Sequence, residues 1–192
     1  MTTTEHPTAE TPVTERNGVP VTKLFATIDK MRADPSLAAF RFTARNRWVE
    51  GTASRSTFHE WVGAGAEHLH VEEFEATVDH PTLGHGHGPT PHEHVLHALA
   101  SCITAGVATG AAARRIELAS ITSTVRGEMD VRGLLGIDPD VRRGFTDITM
   151  DIHVEGDADE TTLRSLVAAS TRYSAVFEIL TGEVPVTINA NP

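Results

Sequence analysis

The spacing of hydrophobic residues changes several times along the chain, and each change predicts an element. Residues 21–31 place apolar side chains at helical spacing, which predicts a short helix that ends before Pro35. From residue 40 to residue 48, apolar side chains alternate with polar ones, which predicts a half-buried strand with arginines on its outer face. Two more strands are predicted at residues 52–62 and 69–78. A loop rich in proline and glycine is predicted at residues 79–91.

The most distinctive segment, residues 92–115, contains no proline and is rich in alanine and leucine. Thr90 is a suitable N-cap and Pro91 fits the first helical position, so a long helix is predicted. Apolar residues cover nearly every face of its middle part, which is typical of a buried helix. Its small residues predict close packing against a neighbouring helix; they are Ala105, Gly106, Ala108 and Gly110.

The remaining chain predicts a hairpin, a helix and a last strand. Residues 116–131 and 145–155 alternate and are joined by a loop at 133–144. An amphipathic helix is predicted at 159–180 and a strand at 184–188. Because strands and helices do not alternate one for one, the order predicts an α+β fold, a mostly antiparallel sheet around a long buried central helix. The apolar stripe of the helix at 159–180 is predicted to face the core; it holds Leu163, Leu166, Val167, Tyr173 and Phe177.

Composition adds limits to this picture. A chain of 192 residues fits one domain, and its net charge of −10 argues against binding to nucleic acid. Residues 1–18 carry almost no large apolar side chain, so a disordered leader is predicted there, followed by a single domain over residues 19–192. No membrane span or signal peptide is expected, and one cysteine excludes an intrachain disulfide, so a cytoplasmic protein is predicted.

The only cysteine, Cys102, lies in the middle of the long predicted helix, and two interpretations of it stay open. As a core residue it is a small hydrophobic side chain. As a redox nucleophile it needs a cation or a hydrogen-bond donor that lowers its pKa, because the thiolate is the reactive form. Arginines of the first strands are candidates for that cation; they are Arg41, Arg45, Arg47 and Arg55.

Histidines are the second chemical signal, since six of the 11 fall between residues 80 and 97. His85 and His87, two residues apart on a loop, can reach one metal ion. A specific zinc or nickel site needs three or four converging ligands, so we expect only weak metal binding, at best through His85, His87 and one further histidine, with no role in folding. The sequence contains no nucleotide-binding or catalytic-serine motif, and no cofactor is expected.

Residues 88–102 read GPTPHEHVLHALASC. They resemble the G-P-[ST]-P-x-E-x-[LV]-L-x-A-L-[AG]-[SA]-C stretch that opens the central helix of the OsmC/Ohr family. These are the osmotically inducible protein C-like and organic hydroperoxide resistance-like proteins. The order of the predicted elements and the Gly-x-x-Pro-Val at residues 182–186 also agree with the family, and the resemblance covers about residues 21–190.

The resemblance implies an OsmC-like fold, an intertwined homodimer, and reduction of organic hydroperoxides or hydrogen peroxide in oxidative stress defence. Cys102 matches the peroxidatic cysteine, which peroxide oxidises to a sulfenate. Glu93 matches the glutamate that, together with an arginine, activates the thiolate. Nine residues of helix separate Glu93 from Cys102 by about 13.5 Å, so Glu93 must act through that arginine.

Two departures from the family pattern bear on this chemistry. Ser174 stands where the family has its resolving cysteine, so an intrasubunit disulfide is impossible. The family's arginine falls near residues 49–52, where this chain has none, and Arg47 or Arg55 are the nearest substitutes. An external thiol would therefore have to reduce the sulfenate.

Two functions follow for this divergent one-cysteine member. The first is a thiol peroxidase with Cys102 and Glu93 as catalytic residues, a small hydroperoxide as substrate and an external thiol as reductant. The alternative is a non-catalytic dimer that binds a small hydrophobic ligand in an apolar groove near Cys102. A homodimer is expected in both cases, because one small sheet cannot cover so apolar a helix. Neither nucleic acid nor a membrane is expected as a partner.

Overall fold

Residues 15–190 are described by a computed structural model. The helices are α1 (Val21–Ala33), α2 (Pro91–Ala113), α3 (Val131–Leu134), α4 (Glu160–Arg172) and α5 (Ala175–Thr181), with a short 3-10 helix at Pro35–Ala38. The strands are β1 (Arg41–Phe42), β2 (Arg45–Glu50), β3 (Ala53–Gly63), β4 (Ala66–Val78), β5 (Leu118–Glu128) and β6 (Asp147–Gly156). All strand pairs are antiparallel, so the predicted α+β class is confirmed.

The first sheet is built around β3. Strand β4 pairs with one edge of β3, while β1 and β2 share the other edge, opposite residues 61–62 and 53–57. The single half-buried strand predicted for residues 40–48 is therefore wrong in two respects. It is divided into β1 and β2, and both are exposed in the single chain, because their main packing partner is β3 alone.

Helix α2 supplies the core, and its start is fixed locally. Thr90 is its N-cap, as the sequence predicts, and the structure adds a capping box between Thr90 and Glu93. Residues four apart on one side of the helix are buried and pack against the β5–β6 hairpin and α4; they are Leu99, Ile103, Val107 and Ala111. The predicted close helix packing occurs at Gly106, where an added Cβ would come within 3.0 Å of the Ser170 Cβ on α4.

The length and apolar composition of α2 would also allow it to cross a membrane, although the sequence predicts no membrane span. It is the one such helix among residues 15–190. A single helix of this kind is weak evidence for a span, because the core helix of a soluble protein has the same composition. Its buried stripe identifies α2 as a core helix, and a soluble protein is consistent with it.

Two expectations for the C-terminal part are wrong. The helix predicted at 159–180 is two helices, α4 and α5, because the chain leaves helical geometry at Tyr173 and Ser174. Tyr173, predicted to face inward, is 81% exposed as a result. The strand predicted at 184–188 is not formed, since no strand of the described chain lies beside it to accept its backbone hydrogen bonds.

The leader predicted for residues 1–18 lies outside the described residues except for its last part, and that part is ordered. Arg16 and Val19 pair their backbones across a two-residue turn, in which Asn17 and Gly18 both have positive φ angles of 50° and 73°. The Asn17 amide donates to the Ile116 carbonyl at 2.9 Å and accepts from the Leu118 N–H at 3.0 Å. Asn17 therefore docks this segment against residues 116–118.

Asn17→Ala is expected to lower the free energy of unfolding by about 1–2 kcal/mol, because both amide hydrogen bonds are lost and alanine disfavours a positive φ. Chemical denaturation of the two proteins measures the difference. Glu15→Ala changes an exposed residue of the same segment and serves as the control, with no expected loss. Equal stability of Asn17→Ala and wild type would contradict the docking of this segment.

Candidate functional site

Cys102 lies on α2 next to the buried stripe and is itself half-buried. It faces the junction between α4 and α5. There the hydroxyl of Ser174, a residue only 4% exposed, donates a hydrogen bond to the Cys102 Sγ at 3.1 Å. The same Ser174 Oγ accepts the Phe177 N–H at 3.1 Å and so caps α5. The structure thus brings together the thiol and the residue that stands in the place of a resolving cysteine.

The surroundings of Cys102 act on its pKa in opposite directions. Burial, the largest single influence, raises the pKa of the thiol because it disfavours the charged form. The Ser174 hydroxyl and the backbone N–H groups of Val176 and Ala175 lower it, and together they prevail. The pKa of Cys102 therefore lies below its ordinary value, so that more of the sulfur is thiolate at neutral pH. The pKa is lowered by hydrogen-bond donors alone, since no cation of the described chain contributes.

An open groove with a volume of about 630 Å³ runs along α2 and begins at Cys102. Its walls come from α1, α2 and α4 and are formed mainly by small or apolar side chains. The lining residues are Ile28, Cys102, Ala105, Gly106, Thr109, Gly110, Arg114, Leu166, Ala169, Ser170, Tyr173 and Ser174. A small molecule with an apolar body can therefore approach the sulfur from this groove.

Glu93, the second predicted site residue, lies in the first turn of α2 and is exposed. Its Oε2 accepts the Thr90 N–H at 2.7 Å and the Thr90 hydroxyl at 2.8 Å. These two bonds, the backbone one first, lower the pKa of the Glu93 carboxyl, with smaller contributions from His94 and His92. Within residues 15–190 Glu93 contacts neither Cys102 nor an arginine, so a single chain does not assemble the predicted pair.

The arginines proposed for thiolate activation lie elsewhere in the single chain. Arg55 pairs with Glu75 at 3.4 Å and Arg45 pairs with Glu60, all within the first sheet. Arg41 and Arg47 lie on the exposed strands β1 and β2. None of these four side chains reaches Cys102 in the described part of the chain.

The histidine-rich loop has a structural role that sequence reasoning missed. The buried carboxylate of Asp79 accepts the Thr52 hydroxyl and the backbone N–H groups of His80, His85 and His87, at 2.7–3.2 Å. Those four donors, with Thr52 first, hold the pKa of Asp79 far below its ordinary value despite burial. The loop is thus folded around one anion by its backbone, and Gly84 makes the close approach possible, because a Cβ there would clash with the Asp79 carboxylate.

The rings of His85 and His87 lie edge to face with centroids 5.6 Å apart. Among residues 15–190, no group of three or more histidine, cysteine, aspartate or glutamate side chains is arranged to hold a metal ion. The third histidine expected to join His85 and His87 is therefore not brought to them. Weak metal binding through the pair alone stays a prediction.

Sequence reasoning found Cys102 and noted Ser174 only as a missing thiol. It did not find the hydrogen bond between them, which joins residues 72 positions apart. The available signal was the polar pair Tyr173-Ser174 inside an otherwise amphipathic helix, because serine is a preferred N-cap. The ligand-binding alternative already expects an apolar groove near Cys102, and the small residues along α2 are the signal for it in the residues themselves.

The family model of the OsmC-like proteins matches residues 84–189, more than half of the chain. No curated protein sequence matches it significantly. Among solved structures, an OsmC-like protein from Mycoplasma pneumoniae is 17% identical with a TM-score of 0.57, over 74% of this chain and 88% of that chain. An OsmC-like protein of unknown function from Vibrio cholerae is 14% identical with a TM-score of 0.53, over 74% and 95%.

At these identities the solved structures show the fold alone, and they agree with the α+β arrangement described above. The family model covers the segment that holds α2, its cysteine and the α4–α5 junction. The chain therefore belongs to the OsmC-like protein family.

Proposed function

We propose that this protein is a thiol-dependent peroxidase that reduces organic hydroperoxides or hydrogen peroxide in defence against oxidative stress. The observation that carries the proposal is the hydrogen bond from the Ser174 hydroxyl to the Cys102 sulfur at 3.1 Å, beside which the Val176 and Ala175 backbone N–H groups also lower the pKa of the thiol. They favour the thiolate, which is the nucleophilic form of cysteine. The groove gives a hydroperoxide with an apolar substituent a route to that sulfur.

The reaction proceeds in two stages. The Cys102 thiolate attacks the outer peroxide oxygen and breaks the O–O bond, which gives a sulfenic acid and an alkoxide that takes a proton from solvent. Sulfur is oxidised and the peroxide is reduced to an alcohol. An external thiol then condenses with the sulfenic acid and releases water, and a second external thiol reduces the resulting mixed disulfide. Ser174 cannot take the part of either thiol.

Glu93 is proposed to contribute to catalysis as a positioning residue, which acts through an arginine of the partner subunit. Its Oε2 accepts from Thr90, but its Oε1 accepts no hydrogen bond within residues 15–190, and the residue is exposed. That oxygen is free to accept from a guanidinium. The negative charge is also maintained at neutral pH, since the pKa of Glu93 is lowered.

A homodimer is part of the proposal. Most of the apolar stretch of α2 is not fully buried in the single chain. Within residues 15–190, neither group of buried core residues, around Ile103 or around Leu166, packs against an apolar residue of the first sheet. That sheet exposes large apolar side chains; they include Phe42, Trp48, Leu69 and Val71. A second copy would supply the missing cover for both surfaces, since burying such patches is favourable. A cytoplasmic location is also proposed, as the active thiol requires a reducing compartment.

Trapping of the sulfenate tests the proposed reaction. Purified protein is mixed with a stoichiometric amount of cumene hydroperoxide and a sulfenate-trapping dione, and its intact mass is followed over time. We expect one adduct per chain, located on Cys102, at a rate well above that of free cysteine at the same pH. A thiol that reacts no faster than free cysteine would contradict the peroxidase.

The second candidate function is binding of a small hydrophobic ligand without catalysis. The apolar groove beside Cys102 favours it, because its volume of about 630 Å³ lies in the range of ligand sites. An inert Cys102 together with saturable binding of an apolar fluorescent probe, displaced by cumyl alcohol, would support this alternative.

A further inference from the structure

We propose that Ser174 is a catalytic residue of this site: its hydroxyl holds the Cys102 sulfur in the thiolate form by a direct hydrogen bond. The inference rests on the proposed function and adds a residue to it. Ser174 Oγ lies 3.1 Å from the reacting Sγ atom, and the side chain is almost completely buried. The position that lacks a resolving thiol would thus have acquired a different role in the same reaction.

The break between α4 and α5 makes this hydroxyl available. Hydroxyls inside α4 bond to their own helix: Ser170 donates to the Leu166 carbonyl at 2.8 Å and Thr171 to the Val167 carbonyl at 3.0 Å. Serine and threonine hydroxyls in helices commonly donate to the carbonyl of the residue four positions earlier. Ser174 lies outside the helix, with φ −79° and ψ 116°, and its hydroxyl turns to the sulfur.

The cap of α5 then fixes the direction of that hydroxyl. A serine hydroxyl has one proton to donate and two lone pairs that accept. The Phe177 N–H occupies one lone pair of the Ser174 Oγ at 3.1 Å, which anchors the oxygen. The single proton lies towards Cys102. The Ser174 hydroxyl is therefore held in one orientation before peroxide binds, and it does not need to rotate when the Cys102 thiolate forms.

The bond favours the charged form of sulfur over the neutral form. Hydrogen bonds to ionised acceptors are roughly twice as strong as bonds between neutral groups. A thiol sulfur is only a weak acceptor, so the difference between its two protonation states is large. Removal of the hydroxyl is expected to shift the midpoint of thiol ionisation upward by about one pH unit, or about a tenfold loss of thiolate at neutral pH.

The test is the rate of Cys102 alkylation by iodoacetamide against pH, in the full chain and in Ser174→Ala. Since Cys102 is the single cysteine, the rate reports on it alone. We expect the midpoint to rise by about one pH unit in the variant. An unchanged midpoint would overturn the role of Ser174.

Ser174 also caps α5, so Ser174→Ala removes a helix cap as well as the hydrogen bond to Cys102. A control variant has to show what the loss of a helix cap does by itself. Asp159→Ala removes the N-cap bond of α4 to the Thr162 N–H and leaves the contacts of Cys102 in place. It should lower the melting temperature without moving the midpoint. Equal midpoint shifts in the two variants would also overturn the proposal.

The two proposals fail separately. A wild-type thiol that forms the sulfenate rapidly, with a midpoint unchanged in Ser174→Ala, rejects Ser174 and leaves the peroxidase. A wild-type thiol inert to cumene hydroperoxide, with a midpoint that rises in Ser174→Ala, rejects the peroxidase, while the hydrogen bond to the thiolate stands.

Discussion

Ser174→Cys is expected to convert the oxidised state of this protein from a sulfenate into an internal disulfide. The Ser174 Oγ lies 3.1 Å from the Cys102 Sγ, so a sulfur at position 174 needs only a small shift to reach the bonding distance of about 2.05 Å. One equivalent of peroxide would oxidise Cys102, and the new thiol would displace water from the sulfenic acid. The sulfenate adduct should fall from the main product to a trace.

Intact mass and thiol titration measure this change. The variant should lose two hydrogens and both thiols, and a reductant should restore them. Ser165→Cys is the matched control, because Ser165 is an exposed residue of α4 that donates to the Thr162 carbonyl and has no contact with Cys102. It should keep the sulfenate adduct of the wild type. A persistent adduct in Ser174→Cys would show that the two side chains do not meet in solution.

Asp79→Asn is expected to cause the largest loss of thermal stability among these variants, greater than that of Asn17→Ala. The Asp79 carboxylate accepts four hydrogen bonds, three of them from backbone N–H groups of residues 80, 85 and 87. An asparagine offers one oxygen in place of two and turns N–H donors towards backbone N–H groups. Buried donors without an acceptor are costly. The melting temperature near pH 7 measures the loss.

The loss of melting temperature in Asp79→Asn is expected to depend on pH, because it comes from the charged form of the Asp79 carboxylate. Its folded pKa lies below the unfolded value of about 3.9, so its contribution is complete above that value and decreases as pH falls towards the folded pKa. The gap in melting temperature between wild type and Asp79→Asn should therefore be full at pH 6–7 and narrow below about pH 4. Asp159→Asn, which changes an exposed helix cap, should show a smaller gap. A gap that is constant down to pH 3 would contradict the assignment.

Local signals explain which elements could be predicted. Thr90, Pro91 and Glu93 mark the start of α2 within four residues, and the structure has the helix beginning there. The break at Ser174 could not be predicted in the same way, because residues 159–180 contain neither proline nor glycine. It depends on a cap and a contact with Cys102 from another helix. The strand predicted at residues 184–188 has the right alternation but lacks a neighbour in its own chain.

The site shows the same division. Sequence and family resemblance predict Cys102 as the reactive residue, and the donors that lower its pKa come from the α4–α5 junction. The predicted cation is replaced, within the described chain, by a hydroxyl and backbone amides, because the arginines lie in the first sheet. Asp79 was missed because its four donors come from Thr52 and a loop, and only the folded chain brings them together.

The Ser174 hydroxyl both donates to the Cys102 sulfur and accepts from the Phe177 N–H, and these two hydrogen bonds limit which side chains can occupy position 174. A replacement has to be short, accept from the Phe177 N–H and point a hydrogen at sulfur. Alanine offers neither group, and an ionised aspartate accepts but has no proton to give. An exchange between cysteine and serine keeps the size of the side chain and the backbone around it. Such an exchange can redirect what happens to the oxidised sulfur while the architecture around it is inherited unchanged.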